Sequence, residues 1–252
     1  MINKELYEMI FKRKSFHLFR NTGNVLLTED EINGIYDCFL TLTPLNNDIK
    51  VKIKITNDTT CNRGQEYSIC FYSEKKDNYL QNIGYLGEQL DLYLVKQNIA
   101  TLWFGIGKVK EKVLDGLSFV IMIAIKKTSS PDMFRRDMFK SKRKSVSDIW
   151  SGPVMDIANI IRFAPSACNS QPWKVIASSK KLEVYRYKKL GLRGIMPIPL
   201  VSFYNQIDIG IFLCFIELCL EHENISFNRS IFIEDGNDSE MHLNAIYEIT
   251  RK

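Results

Sequence analysis

Three stretches carry side chains that could do chemistry. The first is Arg13-Lys14-Ser15-Phe16-His17. Two cations and a hydroxyl this close together can grip a phosphate dianion. The same cations could instead complement the dipole of a solvated helix end. The second, from Arg162 to Val175, reads RFAPSACNSQPWKV. It sets apolar Ala164, Pro165 and Ala167 beside Ser166, Asn169 and Gln171, more than a plain helix-to-strand connection needs. Such a loop would present flat apolar surface and amide groups together. The third is Trp103-Phe104-Gly105-Ile106-Gly107. Its bare GxG pair lacks the third glycine of a dinucleotide fingerprint and reads as following a helix rather than a strand. Gly105 could bring the backbone close to a flat ligand, or simply make a turn.

Other chemistries find little support. There is no GxSxG elbow. Cys168 beside Asn169 invites a thiol mechanism, but no base is nominated to form its thiolate. The three histidines, His17, His222 and His242, are far apart, and none of the six cysteines forms a CxxC pair, so no metal site is expected. Lys142-Arg143-Lys144 could be solvated linker charge or a second phosphate contact; it lacks the interleaved aromatics of a nucleic-acid patch. The net charge of +5 is mild, and 45% hydrophobic with 25% charged residues is ordinary for a soluble globular protein. Neither a nucleic-acid partner nor a membrane is expected. The longest apolar runs, 117–125 and 209–216, are shorter than the roughly 20 residues a bilayer span takes. The first residues mix charges into their apolar pattern, unlike a signal peptide. Scattered cysteines within apolar segments suit a reducing, cytoplasmic setting.

These stretches must be held by regular elements. Leu6, Met9 and Ile10 are at helical spacing ahead of Arg13. Thr28 and Glu31 form a capping-box pair that opens a helix ending before Pro44. VKIKIT (51–56) alternates and predicts a strand, ICFY (69–72) a second. A helix is expected over 85–97 and a strand buried on both faces over 117–125. In the second half, a helix carrying Val154, Ile157 and Ile161 should precede Pro165. Strands are expected at 173–178, 182–187 and 230–234, and an apolar helix at about 207–221. Landmarks recur at similar offsets: Ser15 and Ser145 lie 130 positions apart, Pro44 and Pro165 121, Gly87 and Gly210 123. This predicts an internal duplication. Its parts would be a first repeat at 1–127, a basic crossing at 128–147 and a second repeat at 148–252. Helices packed on mixed β-sheets, an α+β fold, follow from the element order. The helices 85–97 and 207–221 are the candidates for contact between repeats.

Residues 164–173 resemble the signature loop of the FMN-dependent nitroreductases, APSxxNxQPW, matching at Ala164, Pro165, Ser166, Asn169, Gln171, Pro172 and Trp173. Arg13 to His17 is similar to that family's N-terminal phosphate motif, departing from it at Lys14 and His17, where arginines are usual. Lys14 cannot make the bidentate contact of an arginine, and the charge of His17 is not secured near pH 7. ATLWFG (100–105) is similar to the family's stretch near flavin N5. Arg143-Lys144-Ser145 resembles its basic residues after the final strand, or else the second repeat's copy of Arg13-Lys14-Ser15; both readings stay open. The resemblance implies a nitroreductase-like fold with two fused repeats forming a monomeric pseudo-dimer. It implies FMN as cofactor, NAD(P)H as co-substrate, and a small acceptor such as a nitroaromatic or quinone. The cofactor-binding set would be Arg13, Lys14, Ser15, His17, Gly105, Arg143, Pro165, Ser166, Ala167, Asn169 and Gln171. Arg13-Lys14-Ser15 would meet the 165–169 loop at one working flavin site, since LTPLNND around Pro44 lacks the serine and the QPW. No catalytic side chain is required, because flavin and backbone carry the chemistry. A non-catalytic flavin-binding or sensing protein, and a pseudo-enzyme without flavin, are the alternatives.

Overall fold

The computed structural model describes residues 2–188, 196–233 and 239–250. The chain divides into two units. Residues 3–79 and 86–139 make the first; Ile2, 80–85 and the chain from Lys140 onward make the second. The basic crossing expected at 128–147 is therefore shared between them.

In the first unit a 3-10 turn leads into α1 (Tyr7–Lys12), which ends at Arg13. Helix α2 (Glu29–Thr41) starts at the expected capping box: Glu31 N–H donates to Thr28 Oγ1 at 3.2 Å, and Thr28 N–H to Glu31 Oε2 at 3.0 Å. Five strands form one antiparallel sheet: β1 (Val51–Thr56), β2 (Tyr67–Ser73), β3 (Ile99–Phe104), β4 (Val113–Leu114) and β5 (Leu117–Lys127). Their order is β1-β2-β5-β3, with β4 paired to β5. The apolar strand β5 is thus central, and its residues from Ile121 to Ile125 are buried, as its two-faced hydrophobicity predicts. Helix α3 (Tyr79–Lys96) begins six residues earlier than its apolar pattern suggested.

The second unit holds two short helices, α4 (Val146–Ile149) and α5 (Ala158–Ile161), and the long α6 (Val201–His222). Its strands are β6 (Trp150–Ser151), β7 (Trp173–Ala177), β8 (Lys181–Tyr187), β9 (Ser226–Ile231) and β10 (Met241–Thr250), in the order β6-β7-β8-β10-β9. Among the strands of the described residues only β6 pairs in parallel, while in the first unit Ser15 adds an isolated parallel bridge to Thr101. Trp173 is fully buried and stacks on Phe212 of α6, with ring centroids 4.5 Å apart. The segment 198–222 is long and apolar enough to cross a bilayer by length and composition, yet 89% of its apolar window is buried inside the protein.

Several expectations are corrected. Val154 is 64% exposed and outside any helix; α5 spans one turn only. The last predicted strand is shifted back to Ser226–Ile231, and Glu234 lies outside the described residues. Gly87 does not correspond to Gly210. A Cβ on Gly87 would meet the Trp103 indole at 2.4 Å, whereas one on Gly84 would meet Ile207 O at 2.0 Å and one on Gly210 would meet Gln81 O at 2.0 Å. Gly84 and Gly210 therefore make a reciprocal close helix crossing, where only hydrogen fits.

The two sheets repeat one plan. Strand orders β1-β2-β5-β3 and β7-β8-β10-β9 correspond, with a long helix following the second strand in each. Even an irregularity recurs. The β2–β5 register skips Val120, and the β8–β10 register skips Asn244, a single-residue bulge in the same strand pair.

Candidate functional site

Arg13 emerges from the end of α1 and turns inward. Its Nε donates to Asp91 Oδ2 at 3.0 Å, Nη2 lies 2.9 Å from the same oxygen, and Nη1 donates to Ser15 Oγ at 3.3 Å. Asp91, on α3, also accepts from Thr101 Oγ1 at 2.5 Å and from Trp103 Nε1 at 3.1 Å. Glu88, one turn earlier, shares the indole N–H at 3.3 Å. Burial works against charge on Arg13, but Asp91 and Glu88 together outweigh it and hold the guanidinium charged. Burial and the neighbouring Asp91 push the Glu88 carboxyl well above the usual carboxylate range. Arg13 is 4% exposed. Arg13 thus braces the segment that carries Lys14 and Ser15. Backbone bonding adds to the brace, since Phe16 N–H donates to Thr101 O at 2.9 Å.

Lys14 is half-buried with its Nζ 4.6 Å from the centre of the Phe16 ring. Burial and the nearby Arg135 lower its pKa. Burial and Arg13 likewise lower the guanidinium of Arg135 to about 10. No carboxylate forms an ion pair with either group among the described residues. Arg135 borders a cavity of about 410 Å³ whose wall also includes Lys12, Lys96 and Arg136. Sequence reasoning missed Arg135, although it stands in the basic crossing after β5. His17 is exposed. Gly105 follows strand β3, not a helix, in a turn closed by Gly107 N–H on Phe104 O at 3.3 Å.

In the second unit the proline-rich loop is strained. Cys168, Asn169 and Gln171 have φ of 51°, 56° and 49°, a left-handed backbone that costs about 1–2 kcal/mol for an ordinary residue. Its polar groups are turned to holding that shape. Gln171 N–H donates to Ser166 Oγ at 2.9 Å. The buried Gln171 side chain accepts from Lys144 N–H at 2.8 Å and donates to Asn169 O at 3.2 Å. Lys144 Nζ donates to Gln171 O at 2.9 Å, and Asn169 Nδ2 to Lys142 O at 3.3 Å. Arg143 Nη2 reaches Phe163 O at 3.5 Å. Burial lowers the Lys144 pKa, with Asp148 opposing. Pro165 is buried, Ser166 and Ala167 half-buried, Cys168 and Asn169 exposed.

Beneath the loop lies a second residue missed from the sequence, Asp208 of α6. Both its oxygens accept from Ala167 N–H, at 3.0 and 3.1 Å, and Oδ2 accepts from Ser170 Oγ at 3.4 Å. Its burial, against these hydrogen bonds, raises the carboxyl to about 8. Its signal in the sequence was an acid set directly before the run IGIFLCFI. Ser145, matched to Ser15 by spacing, instead caps α4 by receiving Asp148 N–H at 3.3 Å. The structure thus gathers Arg13, Lys14 and Ser15 with Arg135 in the first unit. It gathers Arg143 and Pro165 to Gln171 with Lys142 and Lys144 in the second.

The architecture is the nitroreductase fold. A putative nitroreductase from Thermotoga maritima MSB8 superposes with a TM-score of 0.63 at 18% identity, covering 97% of this chain and 93% of that one. The chain belongs to the family described as "Putative TM nitroreductase", whose model matches residues 5–220. A nitroreductase family protein from Clostridium novyi NT matches at a TM-score of 0.40 and 18% identity, over 51% of this chain and 87% of that chain. No curated protein matches the sequence. Family and fold suggest an oxidoreductase.

Proposed function

We propose that the protein is an FMN-dependent oxidoreductase using NAD(P)H to reduce a small acceptor such as a nitroaromatic or quinone. The carrying observation is the pair Lys14 and Arg135, two half-buried cations whose pKa values burial lowers, that of Lys14 further through Arg135 and that of Arg135 through Arg13, with no carboxylate in an ion pair with either among the described residues. Burying unpaired cations is costly, and a bound phosphate dianion removes that cost. The second unit carries a donor set of its own that suits a flavin ring. The ring edge offers carbonyl oxygens, and the loop supplies the Ser166 hydroxyl, the Asn169 amide and the Lys144 ammonium. A bound FMN would supply the hydride-transfer chemistry between NAD(P)H and the acceptor.

The chain's own residues bind, orient and tune. Arg13 fills one acceptor site on Ser15 Oγ, which leaves the Ser15 proton for an anion. Lys14 and Arg135 supply charge; Arg143 and Lys144 are a second cationic group. Gly105 is the proposed backbone donor to the ring, and Pro165 and Ala167 its apolar cover. His17, exposed, adds charge only where protonated. We further infer that the chain is a duplicated unit acting as a monomeric pseudo-dimer. The matched strand orders and the matched bulges support this reading.

Absorbance tests the proposal. Protein mixed with FMN and desalted should stay yellow, be bleached by NADH or NADPH without oxygen, and regain colour on adding a nitroaromatic. Yellow but inert protein would make it a flavin binder, and protein that never retains FMN would sink both readings. Lys14→Ala and Arg135→Ala should each weaken FMN binding about tenfold, roughly 1.4 kcal/mol, in a salt-sensitive way. Unchanged affinity in both would remove the phosphate assignment.

A further inference from the structure

The loop 166–171 holds an arrangement that its own residues disfavour. Cys168 and Gln171 have side chains that gain nothing from a left-handed backbone, unlike asparagine. Something outside the loop must over-determine it. Gln171 and Lys144 hold its far end. At the near end, Ala167 N–H points inward to α6, and Asp208 receives it.

Asp208 is an odd choice for that task. It is 4% exposed on a helix whose neighbours are almost all apolar. An asparagine or serine could accept one N–H without placing an ionisable group there. No cation and no second carboxylate interacts with Asp208 among the described residues. Its partners are the Ala167 amide and the Ser170 hydroxyl, both from the loop. Tyr204, one turn earlier on α6, lies beside Cys168 and contributes a phenol, not a charge. Asp208 therefore addresses the loop alone.

We propose that Asp208 is the positioning residue of the 166–170 loop, pinning Ala167 so that Ser166 and Asn169 are presented outward in fixed geometry. That it thereby sets flavin affinity rests on the function proposed above. The ionised carboxylate is the stronger acceptor, so the pin tightens as the group deprotonates. Burial places that change near pH 8, between the ionisations of the free FMN phosphate and of its ring.

Hydrogen exchange on the ligand-free protein tests the pin directly. Asp208→Asn and Asp208→Leu should raise exchange at least tenfold in peptides spanning 164–171, while β7 and β8 keep their protection. The apolar leucine avoids any new buried charge and guards against a folding defect in the other variant; circular dichroism confirms each fold. Unchanged exchange at 164–171 in a folded variant overturns the proposal. FMN titration by fluorescence is the second arm. The wild-type to Asp208→Asn affinity ratio should rise several-fold between pH 7 and pH 9, because effects on Lys14 and Lys144 cancel in the ratio. A flat ratio near one, in wild-type protein that binds FMN, overturns the link to affinity. Loosened exchange in protein that never binds FMN upholds the pin and discards the flavin reading instead.

Discussion

Two buried acid sites, Asp91 with Glu88 in the first unit and Asp208 in the second, are held in opposite ways, while Glu217 of the second unit, paired with Arg229, follows the first pattern. In the first, Asp91 and Glu88 are sealed in the core beside a cation, Arg13, and surrounded by the donors of Thr101 and Trp103. In the second, Asp208 is sealed with neutral donors only. The sheet plan is the same in both, so topology does not decide this. The difference shows what each acid is for. A carboxylate paired with a buried arginine makes a rigid brace. A lone carboxyl on a backbone N–H makes an adjustable catch. The brace underlies Lys14 and Ser15; the catch underlies Ser166 to Ser170.

The largest expected effect comes from breaking the brace. Arg13→Ala leaves two buried carboxyls without a cation, a change that typically costs about 3–5 kcal/mol. Urea unfolding at pH 7 should show it. The loss should shrink as pH falls, because Glu88, already raised above the usual carboxylate range, can take up a proton. A loss under 1 kcal/mol would mean that Arg13 is not structural.

The catch should show itself in stability against pH. Burial raises the native Asp208 pKa to about 8 from its ordinary value of 3.8. Between those values the folded protein binds a proton that the unfolded chain has released. Stability must therefore fall as pH rises through this window, by at most about 1.4 kcal/mol per pH unit for one group. This is opposite in sign to the usual salt-bridged aspartate. Asp208→Asn should lack the slope, so the stability difference between the two proteins should change by about 2–3 kcal/mol from pH 5 to pH 7. Parallel curves would show that Asp208 is ionised at neutral pH and that the contrast between the two sites fails.

Much of this fold could be read from the sequence because local signals agreed with tertiary demands. VKIKIT alternates and is a strand at the expected residues; Thr28 and Glu31 cap the helix they promised. Strand β10 was missed because its inward face changes phase. His242 and Asn244 are buried before the bulge, Ala245, Tyr247 and Ile249 after it, so no single alternation runs through. Gly84 was overlooked because the sequence shows a glycine but not the helix that crosses it. The proline-rich loop was legible by residue type. The role of Arg13 was not, because its fate depends on Asp91, 78 positions away. Arg135 and Asp208 were hidden for the same reason: one gains meaning from Lys14 beside it, the other from the loop above it.

The smallest effect concerns the strain that sets the second unit's loop apart. Elsewhere among the described residues, left-handed positions are taken by glycine, asparagine or aspartate, which bear such backbone well. Cys168 and Gln171 do not, and both belong to the loop. Cys168 is exposed, so its side chain adds little packing that a replacement would lose. Cys168→Gly should therefore relieve strain and stabilise the native state, offset in part by the greater freedom of glycine in the unfolded chain. The net gain should be about 0.5–1 kcal/mol in urea unfolding. If the strain serves ligand binding, the same substitution should loosen the loop and weaken FMN affinity two- to threefold while the fold grows more stable. A gain in both stability and affinity would show the left-handed cysteine to be a defect the fold tolerates, and would leave the loop's rigidity to Asp208 and Gln171 alone.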